Sequence, residues 1–76
     1  MRINNWQPTS SDITWTRNLV NMVKDGGRWC VPVTGTVYRI FHDKKLAVTN
    51  SEISDVTDKR IVKVFHKMGW TVEINE

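Results

Sequence analysis

Hydrophobic positions along this chain switch between a helical and a strand period. From Ser11 to Lys24 the apolar residues Ile13, Trp15, Leu19, Val20, Met22 and Val23 fall in one half of a wheel drawn at about 100° per residue. Arg17, Asn18, Asn21 and Lys24 fill the other half, which predicts an amphipathic first helix. Thr9, Ser10, Ser11 and Asp12 crowd its entrance with capping side chains, and Asp25-Gly26-Gly27 ends it.

From Arg28 the period is two. Trp29, Val31 and Val33 alternate with Arg28, Cys30 and Pro32, a strand that Pro32 confines to an edge or a bulge because it has no amide to donate. Thr34-Gly35 reads as a turn. Over Thr36 to Phe41, Tyr38 and Ile40 share one face, and Val37, Arg39 and Phe41 share the other. His42 to Lys45 is a polar connection of hairpin length, and Leu46 to Thr49 follows as a third strand of an antiparallel meander. Polar capping candidates fill Asn50 to Thr57, a loop or single helical turn before a second helix that runs from Thr57 or Asp58 to Gly69. Its apolar face is Ile61, Val64, Phe65 and Met68. Gly69 suits a left-handed stop, and Trp70 beside it supplies the apolar contact that accompanies such stops. Trp70, Val72 and Ile74 then alternate with Thr71 and Glu73 as a last strand.

The order α-β-β-β-α-β predicts an α+β fold, a small antiparallel sheet of three to four strands packed against two helices. Seventy-six residues make room for a single domain over 1–76, with 1–10 as an N-terminal arm. Apolar residues at 39% and charged residues at 25% fit a folded globule. A core of this size encloses about one or two large indoles, so among four tryptophans some should be partly exposed. Small folds often gain stability by self-association, and a homo-oligomer is expected.

Cys30 is the only cysteine, which rules out an intrachain disulfide and points to a reducing compartment, the cytoplasm. Lying between Trp29 and Val31, it is expected as a small buried side chain. Neither a signal-peptide run nor an apolar stretch of about 18 residues is present, so no membrane association is expected. The net charge of +3 mildly favours an anionic partner.

Catalytic chemistry is hard to assemble. Cys30 with His42 or His66 lacks a third orienting group, no paired zinc spacing occurs, and neither glycine-rich phosphate fingerprint is present. No enzyme activity, metal or cofactor is therefore expected. Two groupings suggest binding. Lys59, Arg60, Lys63, His66 and Lys67 form an arc of about 120° opposite the apolar face of the second helix, a stripe that either tracks a nucleic-acid backbone or is simply solvated. The other grouping is Trp15 and Arg17 on the first helix, Arg28 and Trp29 opening the first strand, and Tyr38 and Arg39 in the second. Rings stack on bases and guanidinium groups fork onto phosphate, so these six are the candidate ligand-binding residues, although Trp15 and Trp29 also suit a core.

The stretch from Gly26 to Arg39, with its glycine pair, Trp29, Val31-Pro32, Thr34-Gly35 turn and following strand, resembles a pattern in small proteins of tailed bacteriophages. Trp15-Thr16-Arg17 with Tyr38 and Arg39 resembles the pocket chemistry of phage sponge proteins that sequester cyclic-oligonucleotide signals of bacterial defence. That resemblance implies a non-enzymatic anti-defence protein that binds a nucleotide second messenger in the host cytoplasm. The basic face of the second helix is not required by such a sponge. The alternatives are a nucleic-acid binder using that helix, and a host-takeover protein that grips a bacterial protein through exposed tryptophans.

Overall fold

The computed structural model describes residues 6–50 and 52–75. Its elements run α1 (Ser10–Asn21), β1 (Arg28–Cys30), β2 (Val37–Phe41), β3 (Leu46–Thr49), α2 (Val56–Lys67) and β4 (Thr71–Ile74), an α+β fold in the expected order. Of the expected arm, residues 1–5 lie outside the described residues, Trp6 to Thr9 precede α1, and Ser10 already opens the helix.

Helix α1 starts at a reciprocal capping box: Thr9 Oγ1 accepts from the Asp12 amide at 3.2 Å, and the Asp12 carboxylate accepts from the Thr9 amide at 2.9 Å. It ends three residues before Lys24, because the chain turns at Gly26 to reach the sheet, where the Gly26 amide donates to the Ile40 carbonyl and the Ile40 amide donates to the Gly27 carbonyl. A side chain at Gly27 would meet Val23 Cγ1 at 2.8 Å, so this close approach needs glycine. Helix α2 ends in the Schellman arrangement that Gly69 and Trp70 suggest. The Trp70 amide donates to the Phe65 carbonyl, the Gly69 amide to the His66 carbonyl, and the Trp70 and Phe65 rings lie 5.6 Å apart.

The sheet has the order β1-β2-β3-β4. Strands β1, β2 and β3 form the antiparallel meander, but β4 runs parallel to β3, so the sheet is mixed rather than wholly antiparallel. The cause is α2. A helix inserted between two neighbouring strands carries the chain back to the starting end of the sheet, where a hairpin would have reversed it. Both helices cover one face. Val20 of α1 and Ile61 and Phe65 of α2 enclose Trp29, Tyr38, Ile40 and Ala47.

Several expected details differ. Strand β1 stops at Cys30, before Pro32, and remains an edge strand. Val33 is therefore an exposed loop residue instead of a strand partner of Trp29. Cys30 is exposed, not buried, because Trp29 takes the helix-facing position and the strand's alternation turns its neighbour outward. On α1 the buried positions are Thr16 and Val20, while Trp15 and the C-cap residue Met22 face solvent. The apolar arc of α1 is wider than the strip its neighbours cover.

Candidate functional site: the open face of the sheet

Strand alternation places two chemistries back to back. The helix-covered face holds a chain of rings: Trp29 lies 5.9 Å from Tyr38 and 5.9 Å from Phe65, and Trp15 leans edge-on against Trp29 at 6.5 Å. Beneath the β1–β2 loop the Asp58 carboxylate, 3% exposed, accepts hydrogen bonds from Thr34 Oγ1 (3.0 Å), Thr36 Oγ1 (2.7 Å) and the Tyr38 hydroxyl (3.4 Å). Burial, the Asp58 charge and that hydrogen bond together push the Tyr38 phenol well above its ordinary range. Such a fully donated carboxylate pins the loop to the start of α2 and is structural.

Among the described residues no helix lies on the other face. Cross-strand register sets Arg28 directly opposite Arg39, and Arg39 opposite Val48, which in turn pairs with Glu73 on β4. Phe41 lies two residues from Arg39 on the same side. The Arg39 guanidinium carbon is 5.5 Å from the Phe41 ring centroid, and Lys44 Nζ, from the β2–β3 turn, is 5.9 Å from it. Together these side chains line a broad concavity of about 760 Å³, floored by Val37, Leu46 and Val48 and closed on the β4 side by Asn50, Glu73 and Asn75. Cations thus stand over β1 and β2, apolar side chains over the middle, and hydrogen-bonding groups beside β4.

The six residues singled out from the sequence do not share one pocket. Arg28 and Arg39 meet on the open face. Trp29 and Tyr38 are buried on the covered face, where they contact other rings and offer no surface to a ligand. Trp15 and Arg17 are exposed on α1, on the helix side of the sheet. Strand alternation turns Arg28 and Arg39 away from the face that α1 covers, so within one protomer these two arginines do not meet Trp15 and Arg17. Phe41, Lys44 and Glu73 were missed. The period-two signal pointed to Phe41, which shares the Arg39 side of β2, whereas nothing local marks Lys44 and Glu73.

The basic stripe of α2 is divided between two roles. Lys63 Nζ donates to the Trp6 carbonyl at 2.9 Å, and the Arg60 guanidinium lies 5.2 Å from the Trp6 ring, so these two hold the arm against the helix. Lys59, His66 and Lys67 face solvent. Of the four tryptophans, Trp15 is exposed, Trp6 and Trp70 are half-buried and Trp29 is enclosed, the mixture that the small core requires.

Among the described residues no group of three or more His, Cys, Asp and Glu stands together as a metal site, and no helix is long and apolar enough to cross a membrane. No family model matches this chain, and neither a curated protein nor a solved structure shows significant similarity to it.

Proposed function

We propose that this protein is a non-enzymatic binder of a nucleotide-bearing ligand and that the open face of its sheet is the binding surface. One observation carries this: Arg28 and Arg39 stand opposite each other on a solvent-facing sheet. Like charges in that position repel, and an anion between them converts the repulsion into two charge-assisted contacts. Guanidinium forks fit phosphate, as they fit carboxylate, through paired hydrogen bonds. Phe41 and the apolar floor supply a surface for a planar ring, and the amides and carboxylate beside β4 supply partners for its polar edge. A nucleotide combines all three. Sequestration of a nucleotide signal of bacterial defence, which the likeness to phage sponges suggests, needs only capture of this kind.

Isothermal titration with nucleoside 5′-monophosphates, cyclic di- and trinucleotides and a short single-stranded oligonucleotide tests the proposal. Arg28→Ala and Arg39→Ala should each weaken binding by about tenfold or more, the worth of a hydrogen bond to a charged group. Lys59→Ala, on α2, should leave it nearly unchanged. If no ligand in the panel binds, or if binding survives loss of both arginines, the proposal fails.

A second reading is a protein partner. Exposed Trp15 and Val33 flank a groove of about 280 Å³ lined by Trp6, Val31, Ile61 and Val64, a surface suited to an apolar anchor. Trp15→Ser separates the two, since it removes this surface without touching the open face of the sheet.

A further inference from the structure

We infer that Glu73 makes the open face selective for bases carrying an exocyclic amino group at the position of cytosine N4 or adenine N6, over bases that present a carbonyl at that position. This rests on the nucleotide reading above and adds its specificity.

Among the described residues Glu73 is the one carboxylate lining a concavity whose charged groups are otherwise Arg28, Arg39 and Lys44. No ion pair joins it to them among the described residues. The register explains why: Val48 of β3 separates Glu73 from Arg39 in the same cross-strand row. At about 4.8 Å per strand, the backbones of Arg39 and Glu73 are roughly 10 Å apart, comparable to the reach of a nucleotide from its phosphate to the far edge of its base. A phosphate drawn to the arginines and a ring laid over Val48 and Phe41 therefore present the base edge to β4. The Asn75 amide donates to the Thr49 carbonyl at 2.8 Å, which ties the ends of β3 and β4 together and sets Asn50 and Asn75 beside that edge.

These three groups differ in what they tolerate. An amide carries both a donor and an acceptor and turns to suit either kind of edge. A carboxylate only accepts. Facing the N4 amino group of cytosine or the N6 amino group of adenine, Glu73 gains a charge-assisted hydrogen bond, whereas the O4 of uracil or thymine sets lone pairs against its charge. The same charge disfavours a phosphate on the β4 side, so Glu73 also fixes which way round the nucleotide lies.

The test compares cytidine with uridine and adenosine with inosine, pairs in which an amino group is exchanged for a carbonyl on a ring of the same size. Each is titrated as the 5′-monophosphate and as a short homo-oligonucleotide, the two arms telling a free nucleotide from a strand. Wild-type protein should prefer the amino member of a pair by about tenfold. Glu73→Gln, which keeps the shape and restores a donor, should abolish most of that preference and raise affinity for the carbonyl member. Its melting temperature provides the control for folding. Equal affinity for both members in the wild type, or a preference that persists in Glu73→Gln, overturns the inference while leaving the nucleotide proposal standing. Failure of every probe to bind overturns both.

Discussion

Along β2, Tyr38 and Ile40 are fully enclosed beneath the helices, while Val37, Arg39 and Phe41, interleaved with them one by one, face outward. The two faces of the sheet are built from the same strands but carry different chemistry. The covered face is a lattice of rings, with Phe65 within 6.0 Å of Trp29, Tyr38 and Trp70. Over the open face, cations surround a single ring, and two arginines stand opposite each other in register. Stability and binding should therefore separate by face, a division that mutation can break or sharpen.

The largest effect is expected at Phe65. Phe65→Ala removes the ring that joins both ends of the covered face, at a cost of about 3–5 kcal/mol in urea denaturation, a large share of the total stability of a small domain. Phe41→Ala should cost far less and leave the protein folded. Equal losses would mean that the open face is itself part of a buried interface.

Asp58→Ala should come next, because it leaves the hydroxyls of Thr34, Thr36 and Tyr38 without their shared acceptor. A loss of about 1.5–3 kcal/mol is expected, together with faster amide hydrogen exchange at Gly35 and Thr36 as the loop comes free. Unchanged exchange there would show that the loop is held by its own backbone bonds.

Tyr38 gives a smaller, pH-dependent signature. Its folded pKa is raised, so the native state keeps a proton that the unfolded chain gives up above about pH 10. The stabilisation is fully present below that pH and is lost as pH rises toward the folded value. Tyr38 is the only tyrosine, so phenolate absorbance should appear together with alkaline unfolding, and Tyr38→Phe should flatten the alkaline fall in stability. Phenolate that forms while the native circular dichroism persists would contradict this.

The smallest stability effects belong to the open face. Arg28→Ala should change unfolding free energy by only about 0.5 kcal/mol, in the stabilising direction, because it removes a like-charge pair at the surface. The gain should shrink as salt is added. A clear loss of stability would place Arg28 in the fold instead of in a binding surface.

Much of the fold was legible because its signals are local. The capping side chains before α1, the Gly69-Trp70 stop and the alternation of β2 depend on residues within a few positions of one another, and all three appear as expected. Element ends were less legible. Strand β1 stops short because Pro32 breaks the ladder, and α1 stops short because Gly26 and Gly27 must bond to β2, a partner distant in sequence. For the candidate site, the alternating pattern already separates Arg28 from Trp29 and Arg39 from Tyr38, yet the chemistry of rings and guanidinium groups had drawn them together. Period-two geometry outweighs proximity in sequence.

By itself, then, the sequence determined the order of elements and which residues of each strand share a side, since both follow from backbone geometry over a few residues. Tertiary structure alone decided which side the helices cover, that β4 returns parallel to β3, and that Glu73 comes to stand across the sheet from Arg28 and Arg39. Those outcomes depend on where α2 lands, and that is fixed by the burial of Ile61, Val64 and Phe65 against residues twenty to forty positions away, a free energy that no local window contains.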